Sequence, residues 1–142
     1  MYNIIQHSHS GIMWLVIAML IVSVLISMLK FIKKCDKPKD YFGKLFNFTK
    51  WAIYVQALLG IALLFTSPHV HYVSGFMKNE ELRFYGMEHP LMMLIAIGFV
   101  AMGLFKTKKK TSSIQKNKTI FIFYGIALIV MLAMIPWKTV MS

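Results

Sequence analysis

Cysteine and acidic residues are scarce in this sequence. Cys35 is the only cysteine among 142 residues, so the chain cannot form an internal disulfide bond. Only 5 residues are Asp or Glu against 16 Lys or Arg, and charged residues make up 15% of the chain, where soluble domains carry about 25%. Because 58% of the residues are apolar and the mean hydropathy is +0.63, this composition argues against a water-soluble globular protein.

The sequence also lacks the motifs that mark common enzyme classes. It contains no glycine-rich phosphate-binding loop and no nucleophile with a suitably placed base. The apolar runs carry no internal Asp, Glu, Lys or Arg of the kind that forms proton or ion relays in membranes. These absences favour an electron carrier or a subunit of a complex over a stand-alone enzyme.

Four apolar runs are long enough to cross a bilayer, which needs roughly 20 residues of helix. The predicted spans cover approximately residues 11–29, 48–66, 87–106 and 119–136. None of these runs has the polar stripe that a helix of a soluble protein exposes to water. We therefore predict an all-α fold, a transmembrane four-helix up-down bundle that forms a single integral membrane domain over residues 1–142.

The basic residues predict the orientation of the bundle. Thirteen of the 16 Lys and Arg residues lie in the loops that follow the first and third spans. An excess of lysine near span ends is typical of the cytoplasmic side, so both termini are expected outside the cytoplasm. The expected partner of this charge is the lipid bilayer with its anionic headgroups, and nucleic-acid binding is not predicted.

All five histidines fall on the side predicted to face outward: His7, His9, His69, His71 and His89. His9 precedes the apolar run that begins at Gly11, and His89 precedes the run that begins at Leu91. The first and third spans of an up-down bundle run in the same direction on one diagonal, so the two histidines would face each other. Each is either an axial ligand of a heme or a residue packed at the membrane interface.

Nearby side chains could line such a heme pocket. Porphyrins need apolar and aromatic walls as well as axial ligands. The candidates for these walls are Met13, Trp14, Phe84, Met92 and Met93.

Copper is the alternative metal. The pairs His7 with His9 and His69 with His71 are secondary candidate ligands, because imidazole suits copper. For His69 and His71, a loop position without a metal is the other interpretation.

Two further polar features lie close to these histidines. Gln56 falls inside the second span, where a hydrogen bond to a neighbouring helix is expected. Pro90 directly follows His89, so the third helix should either begin near Pro90 or begin near Glu80 and bend. Glu88 is expected either to accept a hydrogen bond from an imidazole or to stay exposed.

Several segments resemble small bacterial four-span membrane proteins described as cytochrome b-like. The resemblance rests on His7-Ser-His-Ser-Gly-Ile-Met-Trp14, Glu81-Leu-Arg-Phe84, Glu88-His-Pro-Leu-Met-Met93 and Ile135-Pro-Trp137. It implies a bacterial inner-membrane protein that binds heme b through His9 and His89 and transfers electrons from a quinol or a respiratory membrane complex. The alternatives are a cofactor-free accessory subunit of a larger membrane complex or oligomer, and a periplasm-facing copper-handling protein.

Overall fold

A computed structural model describes residues 2–66, 78 and 80–135 of the chain. These residues form helices α1 (Tyr2–Ile32), α2 (Gly43–Thr66), α3 (Glu80–Arg83), α4 (His89–Thr107) and α5 (Ser113–Ala133). A π-helical turn over Phe84–Glu88 joins α3 to α4 in one continuous helical segment, and a short 3-10 turn over Pro38–Asp40 precedes α2. Four helices, α1, α2, α4 and α5, are long and apolar enough to cross a membrane.

The four long helices pack as a square. Helix α1 contacts α2 and α5, and α4 contacts the same two helices, so α1 and α4 lie on one diagonal. The predicted all-α four-helix bundle is confirmed, including the diagonal placement of the first and third spans. The protein is a multi-pass membrane protein by the length and apolar character of these helices.

The helices extend beyond the predicted spans, and α2 begins at Gly43 and not near residue 48. Helix α1 begins at Tyr2, and the helical segment that contains α4 begins at Glu80. Helix α5 begins at Ser113, where the Ser112 hydroxyl caps it by accepting a 3.1 Å hydrogen bond from the Gln115 backbone N–H. Polar residues therefore extend the helices beyond the apolar runs, because nothing in those flanks breaks a helix.

The end of α1 has an unusual residue in its cap. Lys34 has φ 54°, in the left-handed region that a helix C-terminus commonly assigns to glycine. The Cys35 N–H donates to the Lys30 carbonyl at 3.0 Å, and the Lys34 N–H donates to the Phe31 carbonyl at 3.1 Å. This pair of bonds is a Schellman motif, and it turns the chain sharply into the loop that leads to α2.

The interior of the bundle is partly polar, whereas the exterior is apolar. Leu20, Phe46, Val100 and Ile120 are fully buried, and so are the polar side chains Ser23, Ser27, Thr49 and Asn117. Large apolar side chains cover the outside, among them Phe65, which is 85% exposed. This distribution suits a lipid environment, where an apolar exterior has no cost and polar groups need partners inside the protein.

Hydrogen bonds close the lysine-rich end of the bundle, where the α1–α2 loop meets α4 and α5. The Ser113 hydroxyl donates to the Lys37 carbonyl at 2.8 Å, and the Asn117 amide donates to the Asp40 carbonyl at 3.1 Å. Lys30 forms a 3.1 Å ion pair with the carboxylate of Asp40. The α1–α2 loop is thereby packed into the bundle and does not extend away from it.

Across the second diagonal, α2 and α5 are joined directly. The hydroxyl of Tyr124, which is fully buried, donates a 2.7 Å hydrogen bond to the Phe46 carbonyl. The two rings also meet edge to face with their centroids 5.9 Å apart. The centre of the bundle is therefore occupied nearer its lysine-rich end, and the histidines lie towards the opposite end.

Candidate functional site

His9 lies on the third turn of α1 and packs against α2. A Cβ atom added to Gly60 would be 3.4 Å from Cε1 of His9, so the imidazole covers the place where this glycine lacks a side chain. The ring is half-buried between the two helices. Gly60 thus provides the space that lets a histidine ring enter the α1–α2 interface.

Gln56 holds the backbone of the same residue. Its side-chain amide donates a 2.7 Å hydrogen bond to the His9 carbonyl, which confirms the predicted bond between helices. Gln56 and Gly60 are four residues apart and therefore share one face of α2. Among the described residues, the buried Oε1 of Gln56 and the buried Nδ1 of His9 have no hydrogen-bond partner.

His89 begins α4 and has a different environment. Its Nδ1 lies 2.6 Å from the carbonyl oxygen of Met134, the residue that caps α5. Because a carbonyl only accepts, this Nδ1 carries the proton, and the unprotonated Nε2 keeps a lone pair. The Phe84 ring lies against the imidazole at 5.7 Å between centroids.

The π-helical turn determines how His89 enters the bundle. The His89 N–H donates to the Phe84 carbonyl, five residues earlier, and Pro90 has no N–H to donate. The continuous helical segment from Glu80 agrees with the second of the two predicted arrangements for this corner. Such π turns are frequent at functional sites, because they change the direction of side chains within a helix.

Glu88 does not hold the imidazole of His89. Its carboxylate pairs with the Arg83 guanidinium across the π turn, while the Nδ1 of His89 donates to the Met134 carbonyl instead. The suggestion that Glu88 sets a histidine tautomer is therefore wrong for His89. The backbone carbonyl of Met134 fixes the tautomer of His89 instead.

His9 and His89 lie near the same end of the bundle. They belong to the diagonal helices α1 and α4. Both rings are half-buried, at the end opposite the lysine-rich loops.

The other predicted site residues are distributed differently. Trp14 is 48% exposed, which puts much of its indole on the outer surface of α1, whereas Met93 packs against the core and Met92 is half-buried. His7 is exposed. His69 and His71 lie outside the described residues.

The pair His9 and His89 could provide two protein ligands for a metal-containing cofactor. Within residues 2–66, 78 and 80–135, no three His, Cys, Asp or Glu side chains are grouped so that they could hold a metal ion. His7 and His9 are two positions apart in a helix, which turns their side chains about 200° from each other, so they do not form a pincer. A heme supplies four nitrogens itself and takes one histidine on each face, so two histidines are the number of protein ligands that it needs.

Sequence reasoning found the two histidines and Gln56 but not their immediate supports. Gly60 was recognisable only as a small residue in a span, although its spacing of four from Gln56 could have placed it on the same face. Comparison of the chain with protein-family models, curated proteins and solved structures found no match. The fold and the local geometry therefore carry the functional interpretation.

Proposed function

We propose that this membrane protein is a b-type cytochrome that binds one heme through His9 and His89 and transfers single electrons. The observation that supports the proposal is that two half-buried histidines lie near the same end of the bundle on diagonally placed helices. Bis-histidine ligation in a four-helix bundle requires side chains that project inward from facing helices. A bound heme b would supply the one-electron redox chemistry.

His89 is prepared for ligation by its hydrogen bond. Donation from Nδ1 to the Met134 carbonyl fixes the ring orientation and the tautomer, and it leaves Nε2 for a metal. A hydrogen bond of this kind, donated by the nitrogen that does not bind the metal, also raises the basicity of the ligating nitrogen.

Two residues of α2, Gln56 and Gly60, position His9. Gln56 bonds to the His9 backbone, and Gly60 gives the imidazole its space. Within the part of the chain that the structure describes, the buried Nδ1 of His9 has no hydrogen-bond partner. The two described histidines thus differ at Nδ1, which is hydrogen-bonded to a carbonyl in His89 and is left for a further partner in His9.

An absorption spectrum tests this proposal. Full-length protein purified in mild detergent from cells supplied with heme precursor is expected to show a sharp reduced-state α band of the b type and a pyridine-hemochrome signal. His9→Ala and His89→Ala are each expected to lose that band. His7→Ala is the matched control, because this exposed histidine lies two residues from His9 on the same helix.

The outcome is decisive only if the variants remain folded. Gel filtration and circular dichroism of each variant check this, and added imidazole should partly restore the band in His89→Ala by replacing the missing ligand. Colourless wild-type protein without a hemochrome signal would refute the proposal. Metal analysis and a search for co-purifying subunits on the same sample would then separate a copper protein from an accessory subunit.

A further inference from the structure

An open groove lies between the end of α4 and the beginning of α5, at the lysine-rich end of the bundle and far from the histidines. Its volume is about 310 Å³. The residues that give it its chemical character are Lys106, Lys110, Gln115, Lys118, Ile122 and Phe123.

Three lysines from two different helices converge on this groove. Lys106 and Lys110 come from α4 and the turn after it, and Lys118 comes from α5. In the described part of the chain, no acidic side chain forms an ion pair with any of the three, since Asp40 is paired with Lys30. The groove therefore has an uncompensated positive charge.

Aromatic rings lie against two of these cations: Phe123, which lines the groove, and Phe31, which belongs to α1. The Lys106 ammonium lies 5.4 Å from the centre of the Phe123 ring, and the Lys118 ammonium lies 5.7 Å from that of Phe31. Cation–π contacts of this kind orient an ammonium group without neutralising its charge. The lysines remain available to an anion.

The groove changes from polar to apolar along α5. Gln115, Lys118, Ile122 and Phe123 follow the helical spacing that places residues on one face, with the polar pair nearest the loop and the apolar pair deeper in the span. The N-terminal turn of α5 adds the positive end of its dipole beside the lysines. A ligand that matches this gradient has an anionic head and an apolar tail.

We infer that this groove binds one anionic phospholipid, with its phosphate among Lys106, Lys110 and Lys118 and an acyl chain along Ile122 and Phe123. Basic pockets between transmembrane helices recognise anionic headgroups in this manner. The chain already lies in a bilayer by its four spans, so the lipid needs no separate delivery. Free phosphate shares the headgroup chemistry but makes no use of the apolar half of the groove.

Native mass spectrometry of the full-length protein in detergent tests this inference. Dioleoylphosphatidylglycerol and dioleoylphosphatidylcholine are titrated separately, and the first bound lipid is expected to favour the phosphatidylglycerol. The triple variant Lys106→Gln, Lys110→Gln, Lys118→Gln should bind phosphatidylglycerol about 100-fold more weakly, from a factor of about 5 for each lysine.

A matched variant removes the same charge from the same end of the bundle. Lys33→Gln, Lys39→Gln and Lys44→Gln change three exposed lysines outside the groove, so phosphatidylglycerol binding should fall by less than about 10-fold. Equal losses in the two triple variants, or equal binding of both lipids by the wild type, would overturn the inference. So would displacement of the lipid by equimolar inorganic phosphate, which would identify a soluble-anion site; circular dichroism confirms that each variant is folded.

Discussion

Gly103 on α4 lies where that helix packs against α5 without room for a side chain. A Cβ atom added at this position would lie 2.7 Å from Cβ and 3.3 Å from Cγ of Phe123. Both distances are shorter than an ordinary van der Waals contact between two carbon atoms, and Gly103 is buried. We therefore expect Gly103→Ala to force the two helices apart or to displace the Phe123 ring.

Gly98 provides a matched control on the same helix. It is exposed, and a Cβ atom added there would meet nothing within 4 Å. The two Gly→Ala changes bring the same gain in helix propensity, at most about 1 kcal/mol, so this contribution cancels when the variants are compared. The remaining difference is the cost of overpacking, and Gly103→Ala should be less stable than Gly98→Ala by about 1–3 kcal/mol.

Reversible unfolding in mixed micelles measures this difference. The free energy of unfolding of both variants and the wild type is obtained from the loss of helicity as the mole fraction of sodium dodecyl sulfate rises. Gly98→Ala should match or exceed the wild type, and Gly103→Ala should unfold at a lower mole fraction. Equal stability of the two variants would refute the close α4–α5 packing from which the prediction is made.

Three further substitutions test other contacts. Tyr124→Phe removes the 2.7 Å bond to the Phe46 carbonyl and should lower the free energy of unfolding by about 1 kcal/mol in the same assay, while a neutral result would contradict the bond. Lys34→Gly should raise the free energy of unfolding by about 1 kcal/mol because glycine adopts the φ of 54° without strain, whereas Lys33→Gly should not; no difference between them would argue against the cap. Under the proposed function, Gly60→Leu should displace the His9 ring and abolish the b-type absorption band while Gly60→Ala keeps most of it, and a Gly60→Leu protein with full absorbance would exclude His9 as a ligand in this position.

The membrane fold follows directly from the composition of the chain. Helices that are apolar on all sides and long enough to cross a bilayer are typical of membrane proteins. Four such helices joined by short connections form an up-down bundle. Gln56 was also predictable, because a polar side chain within a span needs a partner and α1 offers one in the His9 carbonyl. The four spans and the Gln56 hydrogen bond were predictable because any packing of these helices in lipid must bury their polar side chains and give them hydrogen-bond partners.

The ends of the helices were less predictable. An apolar run marks the part of a helix that crosses the hydrocarbon core of the bilayer. The helix itself continues through polar residues until a cap or a helix-breaking residue ends it. Residues 2–10 continue α1, and the Ser112 cap starts α5 six residues before the apolar run at 119. The left-handed Lys34 was hidden from sequence reasoning because lysine has no preference for that conformation.

The surroundings of His89 show the same limit in the candidate site. Glu88 is adjacent in sequence and was the natural partner to consider, yet its carboxylate pairs with Arg83. The actual partner is the carbonyl of Met134, which is 45 residues away, and a backbone carbonyl has no signature in the sequence. Only the packing of the end of α5 against the beginning of α4 brings the two together.

The hydrogen bonds at the lysine-rich end have a consequence for the order in which the protein is made. The carbonyls of Lys37 and Asp40 are synthesised with the first two helices, but their partners Ser113 and Asn117 belong to α5. Until the fourth span has been made, these two carbonyls lack the donors that they have in the folded protein. The two hydrogen bonds therefore join the N-terminal hairpin to the last helix of the bundle to be synthesised.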